Sequence, residues 1–272
     1  MSHLMENQFS IKNKNIVITG AAGILGKKLS QSLLNSGAHL ALIDKDEKTL
    51  NKLKKDLKIA EDNFFEIYVT DLTKEKEVNK TIKSLSKKFN SIDVLINNAA
   101  SKGNSIKDFL LPFEDYKLST WNSIIEGNLT SMFLMSKGIG KIMKNQNYGS
   151  IIQIASIYGV TTPKNDVYEG SFYNGYKIST PAVYSVSKSG VIALTKYLAS
   201  YWGKYNIRVN TISPGGIFSG QNENFVKNYS KKVPLGKMAS GNDIVGTSIF
   251  LSSDASSYIT GQNLIVDGGF TL

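Results

Sequence analysis

Residues 15–34 read N-I-V-I-T-G-A-A-G-I-L-G-K-K-L-S-Q-S-L-L, and three parts of this stretch decide the fold. Residues 15–19 are an apolar run of strand length, Gly20, Gly23 and Gly26 punctuate a turn, and residues 24–34 repeat apolar side chains at helical spacing. A strand that enters a helix through such a turn opens a doubly wound parallel sheet. There the missing side chains let a pyrophosphate approach the backbone, and the helix N-terminus offers it unpaired N–H groups. A glycine triplet by itself also describes an ordinary tight turn; the strand before it and the helix after it make it a nucleotide-binding candidate.

Outward from this unit, strand-like runs at 40–43, 64–69, 94–96, 151–155, 208–212 and 264–266 alternate with helical stretches. With the run at 15–19 they predict a seven-stranded parallel sheet with helices on both faces. Val78, Ile82, Leu85 and Phe89 recur at helical spacing, as do Val191, Leu194 and Leu198. Residues 11–272 read as a single α/β nucleotide-binding domain behind a short flexible lead, residues 1–10. Residues 157–183 interrupt the alternation: Tyr158, Tyr168, Phe172, Tyr173 and Tyr176 mix with Asp166, Glu169 and lysines in no clear period. This insertion reads either as a lid carrying aromatic contacts over a substrate, or as an oligomer contact or self-packed surface excursion.

Asp44 lies twenty-four residues after Gly20, at the close of the second strand run. A carboxylate there accepts both hydroxyls of an adenosine ribose and repels a 2'-phosphate. No cation sits in the turn at Ala21 or Ala22, so NAD is expected over NADP, although Lys45 follows directly. Tyr184 and Lys188 stand four apart in Y-S-V-S-K, which on a helix puts phenol and ammonium on one face. Alcohol oxidation by NAD needs a base for the hydroxyl proton, and ketone reduction needs the same group as acid. Tyrosine titrates near pKa ~10, so a base working near neutrality needs a shift of about three units, or ~4 kcal/mol. The Lys188 charge and an oxidised nicotinamide ring are expected to supply it.

The formal net charge of +10 invites a nucleic-acid reading. Arg208 is the sole arginine, however, and the lysines are scattered over helical surfaces without the guanidinium forks that read bases or clamp phosphates, so no nucleic-acid partner is expected. The chain has no cysteine, no apolar run long enough for a bilayer, and no basic segment leading into an apolar stretch near Met1. The expectation is a cytoplasmic protein with no membrane partner and no metal site. The two histidines, His3 in the lead and His39 at the start of a strand run, leave serine-hydrolase chemistry without its base.

These residues resemble the short-chain dehydrogenase/reductase family, from residue 16 to the C-terminus. To the turn and the Tyr184–Lys188 pair the chain adds N-N-A-A at 97–100 and I-I-Q-I-A-S ending at Ser156. It also has N-T-I-S-P-G-G at 210–216 and I-T-G-Q-N-L-I-V-D-G-G at 259–269. The resemblance implies a Rossmann-type fold and a catalytic set of Asn128, Ser156, Tyr184 and Lys188. In that set Ser156 orients the substrate oxygen, Lys188 also holds the nicotinamide ribose, and Asn128 holds a water that links Lys188 to solvent. Cofactor contacts are implied for Gly20, Gly23, Ile24, Leu25 and Gly26 in the turn, for Asp44, and for Asp71 and Leu72 near the adenine. Asn98 and Ala99 are implied in the central cleft, and Pro214, Gly215, Ile217 and Ser219 around the nicotinamide, besides Tyr184 and Lys188. Two features depart from the family pattern. The spacing G-x-x-G-x-x-G is that of its extended, sugar-nucleotide-modifying branch while most other motifs follow the classical branch, and Ser156 and Tyr184 are twenty-eight residues apart, about twice the usual separation. Residues 156–170, S-I-Y-G-V-T-T-P-K-N-D-V-Y-E-G, resemble oxidoreductases of flagellin glycosylation and sialic-acid-like sugar biosynthesis.

The expected activity is hydride transfer between NAD and a secondary alcohol or ketone, with a sugar or sugar derivative as candidate substrate. An epimerase or dehydratase that retains its nicotinamide, and a catalytically silent dinucleotide sensor, are the alternatives. Release of NADH separates the first from the dehydrogenase, and retention of Ser156, Tyr184 and Lys188 speaks against the second. Lys102, Lys107 and Lys164 are candidates for a substrate phosphate. The family implies a homo-oligomer, a tetramer or dimer, in which Tyr197, Tyr201 and Trp202 either meet another copy or belong to the core.

Overall fold

Alternate side chains of the central strands point to opposite faces, and here both faces are apolar, which buries the sheet between two layers of helix. In the computed structural model, which describes residues 8–58, 63–103 and 105–272, the strands are β1 (Asn15–Thr19), β2 (His39–Asp44), β3 (Phe65–Val69), β4 (Val94–Asn97), β5 (Gly149–Ile154), β6 (Phe172–Tyr173), β7 (Tyr176–Lys177), β8 (Ile207–Pro214) and β9 (Asn263–Val266). All but β6 and β7 form one parallel sheet in the order β3-β2-β1-β4-β5-β8-β9. The chain winds outward from β1 in one direction to β3, then returns to the other side of β1 as β4. The crevice at the carboxyl ends of β1 and β4 is the switch point where such sheets bind ligands.

The helices are α1 (Ile24–Asn35), α2 (Glu47–Asp56), α3 (Glu75–Lys88), α4 (Ile106–Phe109), α5 (Leu118–Ile125), α6 (Ser131–Gln146), α7 (Ala182–Trp202), α8 (Glu223–Ser230) and α9 (Asn242–Ser252). Ile16, Ile18, Leu40, Leu42, Val94 and Ile96 face α1, α2 and α9, where Leu29, Leu50 and Ile244 are fully buried. Val17, Ala41, Ile43 and Leu95 face α3, α6 and α7, against Leu85, Ile139 and Trp202. Arg208 points along the sheet edge and donates to Ser256 Oγ (2.8 Å) and to the carbonyls of Leu251 (3.0 Å) and Ser253 (3.3 Å), closing the C-terminus of α9. The sole arginine is therefore structural.

Several boundaries differ from the sequence reading. Strand β8 continues past residue 212 to Pro214 because it stays paired with β9 as far as Val266, and Gly215 N still donates to Val266 O (2.9 Å). Phe64 falls outside β3 and stacks on His39, ring centroids 4.5 Å apart. Residues 1–7 of the expected lead, and His3 with them, lie outside the described residues. Phe9 already packs against Phe250 and Ile11 is buried, so chain packing starts before residue 11.

The insertion has structure of its own. A short helical turn at Asn165–Tyr168 leads into an antiparallel hairpin, β6–β7, whose turn is Asn174 and Gly175, both at positive φ (50° and 80°). Asn-Gly favours this turn because its twist matches the strands it joins. The segment ends at Pro181, not at residue 183: α7 starts at Ala182, and Val183 is already buried against Phe109 and Ile124. It is tied to α8 by three asparagine amides, which donate to backbone carbonyls: Asn222 to Phe172 (3.0 Å), Asn224 to Gly170 (3.1 Å) and Asn228 to Glu169 (3.1 Å). Lys232 pairs with Asp166, and Val167 and Tyr168 share an apolar cluster with Phe225, Tyr229 and Phe270.

Candidate functional site

The glycine turn closes because two of its residues cannot carry a Cβ. Gly20 sits at φ +63°, where a Cβ would lie 2.7 Å from Ala99 Cα, and a Cβ on Gly26 would lie 2.1 Å from Gly20 O. Strand ends hold it from below. Thr19 Oγ1 accepts from Asn98 N (3.0 Å) and Ala99 N (3.1 Å), while Asn98 Nδ2 donates to Thr19 O and Gly20 O (both 3.0 Å). Helix α1 then begins at Gly23 with no side-chain cap and no acidic residue in its first turn. Its leading N–H groups and positive dipole end face the crevice, which suits a diphosphate.

A cleft of about 670 Å³ opens there, lined by Gly20, Gly23, Ile24, Leu25, Asp44, Asp71, Leu72, Asn98 and Ala99. Gly26 does not line it; its contribution is the close packing of helix on turn. One Asp44 oxygen accepts from Ala22 N (3.0 Å), so this carboxylate ties β2 to the turn as well as facing the cleft. Burial raises the Asp71 carboxyl, but hydrogen bonds from Thr73 Oγ1 (2.7 Å) and Thr73 N (3.0 Å), with Lys74 and Lys45 nearby, outweigh that and hold it below the usual carboxylate range. The cradle, the uncapped helix and the carboxylate at the ribose end together fit an adenosine diphosphate group.

A second cavity, of about 440 Å³, continues the first; Leu25, Asn98 and Ala100 line both. It gathers Ser156, Tyr184, Lys188, Pro214, Gly215, Ile217 and Ser219, far apart in sequence. Ser156 ends the segment after β5 and is buried; its Oγ accepts from Tyr158 N (3.2 Å), and its proton faces the Tyr184 hydroxyl and the cavity. Lys188, only 2% exposed, donates from Nζ to Ile154 O (2.9 Å), and its Nζ lies 5.8 Å from the Tyr184 ring centroid. Burial lowers the lysine to about 8. Burial also raises Tyr184 above the usual phenol value, with the Ser156 hydroxyl pulling the other way. The ammonium is drawn to a strand carbonyl, and desolvation is the largest influence on the phenol.

Asn128 lies in a π-helical turn, Glu126–Thr130, between α5 and α6, a distortion that aims its buried side chain inward. Its Oδ1 accepts from Ser101 N (2.6 Å) and its Nδ2 donates to Ser187 Oγ (3.3 Å), tying the loop after β4 to α7. Both ends of the amide thus meet partners within the protein. Of the three candidate phosphate lysines, Lys102 lines the second cavity, Lys107 does not, and Lys164 lies over the Phe270 ring at 5.0 Å. Sequence reading missed Thr19, whose hydroxyl at the end of an apolar strand run is the signal for it. It also missed Gln221 and Asn222 as cavity residues, while Tyr158, Tyr168, Phe172 and Tyr173 of the insertion line the cavity as its lid reading expects. The Asn-Gly pair at 174–175 is the signal that folds the insertion back over the cleft. Among the described residues there is no cluster of metal-ligating side chains, and no helix is long and apolar enough to cross a membrane.

A doubly wound sheet with a diphosphate cradle at its switch point and a buried serine and lysine with a half-buried tyrosine beyond it defines a nicotinamide-dependent oxidoreductase. A family model described as enoyl-(acyl carrier protein) reductase matches residues 20–271. The chain is 33% identical over 268 residues to a post-translational flagellin modification protein A of Campylobacter coli, covering 96% of this chain and 100% of that one. It is 32% identical to a ribulose-forming D-arabinitol 2-dehydrogenase of Candida tropicalis, covering 96% and 94%. A solved short-chain dehydrogenase from Leptospira borgpetersenii with bound NAD+ superposes with a TM-score of 0.82 at 36% identity, covering 97% of this chain and 94% of the other. The protein belongs to the short-chain dehydrogenase/reductase family and is one of its oxidoreductases.

Proposed function

We propose that the protein transfers hydride between NAD and a secondary hydroxyl of a polyol or sugar derivative, with Tyr184 as acid–base, Ser156 orienting the substrate oxygen, and Lys188 supporting both. The observation that carries this reading is the convergence of those three side chains in a cavity continuous, through Leu25, Asn98 and Ala100, with the diphosphate cradle. NAD, when bound, supplies the hydride acceptor and a positive ring. Tyr184 takes the hydroxyl proton in oxidation and returns it in reduction; a phenol raised by burial favours holding that proton, so a cation beside it is what releases it. Ser156 donates its hydroxyl proton to the substrate oxygen when that oxygen sits between it and Tyr184. Lys188, withdrawn to Ile154 O, is placed to turn toward a ribose hydroxyl. Asn128 is a positioning residue that fixes α7 against the loop after β4. Asp44 at the ribose end of the cleft favours NAD over NADP, and the Leptospira relative with NAD+ supports the same choice.

A polyol or sugar substrate is supported by the hydroxyls and amides set among the cavity's apolar lining, by the absence of carboxylates from it among the described residues, and by the arabinitol dehydrogenase relative. The exposed pair Tyr197 and Tyr201 on α7 supports a homo-oligomer. The deciding measurement is NADH formation across nucleotide sugars, phosphosugars, free polyols and simple secondary alcohols, with NAD and NADP, for wild type and Tyr184→Phe. Turnover confined to sugar derivatives or polyols and lost in Tyr184→Phe, by about a thousand-fold or more, is the expected outcome. Substantial activity in the variant removes Tyr184 from the acid–base role, and a preference for NADP removes the role given to Asp44.

A further inference from the structure

The insertion delivers a directed line of hydroxyls into the substrate cavity. Tyr168 donates to the Tyr158 hydroxyl (3.0 Å), and Tyr168 also lies 2.6 Å from Thr180 Oγ1. A phenol has one proton to give. Because Tyr168 gives it to Tyr158, the 2.6 Å contact must be a donation from Thr180, so the line runs Thr180 to Tyr168 to Tyr158. Tyr158 accepts at its end, and among the described residues no group accepts the Tyr158 proton in turn. That proton belongs to a side chain lining the cavity, two residues beyond Ser156 and bonded to Ser156 Oγ through its own backbone N–H (3.2 Å). Among the described residues no carboxylate lines the cavity to receive it. Tyr168 is buried, and the Tyr158 ring is held edge-on to Phe270, so the donor has little freedom to turn elsewhere. A donor confined in this way gains most from an acceptor on a ligand, and the donation it receives strengthens its own.

We propose that Tyr158 donates a hydrogen bond to a second substrate oxygen, on a carbon neighbouring the one that exchanges hydride, and thereby selects vicinal diols and α-hydroxyketones over simple secondary alcohols. The proposal rests on the reading of this cavity as the substrate site. It makes Tyr158 a specificity-determining residue and gives the insertion a chemical task, since all three hydroxyls in the line belong to it.

The test compares kcat/KM with NAD for matched pairs, cyclohexanol against 1,2-cyclohexanediol and 2-butanol against 2,3-butanediol, in wild type, Tyr158→Phe and Thr180→Val. Tyr158→Phe keeps the ring packing, and the Tyr168 proton can turn to Thr180, so no buried donor is stranded. Wild type is expected to favour the diols by about ten-fold or more, as a site built around a hydroxyl discriminates against analogues lacking it. Tyr158→Phe is expected to bring that ratio near unity, chiefly through KM for the diol, and Thr180→Val to reduce it in part. An unchanged ratio in Tyr158→Phe, an equal loss on both members of each pair, or no diol preference in wild type would overturn the proposal. Silence on all four overturns the proposal, and the substrate reading beneath it falls only if polyols and sugar derivatives are not turned over either; turnover without preference defeats the proposal alone.

Discussion

Lys188 pays for its position in the core: a 2%-exposed ammonium with one strand carbonyl as its acceptor titrates near 8 instead of the usual 10.5. A depressed base binds fewer protons in the folded chain than in the unfolded one between those two values. Stability of the cofactor-free protein should therefore rise with pH across the window from about 8 to about 10.5, with the burial penalty fully present below it. Urea midpoints at pH 7.5 and 10 are expected to show wild type gaining about 2 kcal/mol relative to Lys188→Met. A parallel pH dependence in the two proteins would mean that the lysine is not buried as described. At this scale the sequence was a good guide to which residues gather: Ser156, Tyr184 and Lys188 line one cavity. It was a poor guide to their electrostatics, because four-residue spacing on a helix says nothing of the Ile154 carbonyl on another element that captures the ammonium.

Among the elements, the strand–turn–helix unit was legible because its signal is local: an apolar run, glycines that backbone approach requires, and helical periodicity within twenty residues. The insertion was not, although the Asn-Gly turn that folds it was present, because what stabilises it is remote. Its backbone carbonyls are met by amides on α8, some fifty residues later. Asn224 and Asn228 lie one helical turn apart on that helix and reach the same strand of backbone. Replacing both with alanine should remove about 1 kcal/mol each from the local opening of the insertion while shifting global stability little. Hydrogen exchange should report it as faster exchange in residues 169–178, with α1, α6 and β5 unaffected; uniform acceleration across the sheet would assign the amides to global stability instead.

Over the molecule as a whole, α7 presents two unlike surfaces. Trp202 is buried against Gly140 of α6, where the helices approach closely, while Tyr197 and Tyr201 stack on each other in the open, 65% and 57% exposed. Val186, three turns earlier on the same helix, is exposed as well. Periodicity placed all three aromatics on one helix but could not sort core from surface, since that depends on which face α6 covers. If this face meets a second copy, Tyr197→Glu with Tyr201→Lys should lower the sedimentation coefficient toward that of a 29.9 kDa monomer while the far-ultraviolet spectrum is retained. An unchanged sedimentation coefficient would exclude this face as the contact.

The strapping of the insertion to α8 also sets the terms on which this roof can be exchanged with another protein's. Residues 157–181 moved alone into a related scaffold would leave Asn222, Asn224 and Asn228 behind and carry off Asp166 without Lys232, and Val167 and Tyr168 without Phe225 and Tyr229. The transferable unit is a discontinuous pair of segments, 157–181 with 222–233, and a chimera that respects the pair should inherit its donor's substrate preference where one that moves either half alone loses it.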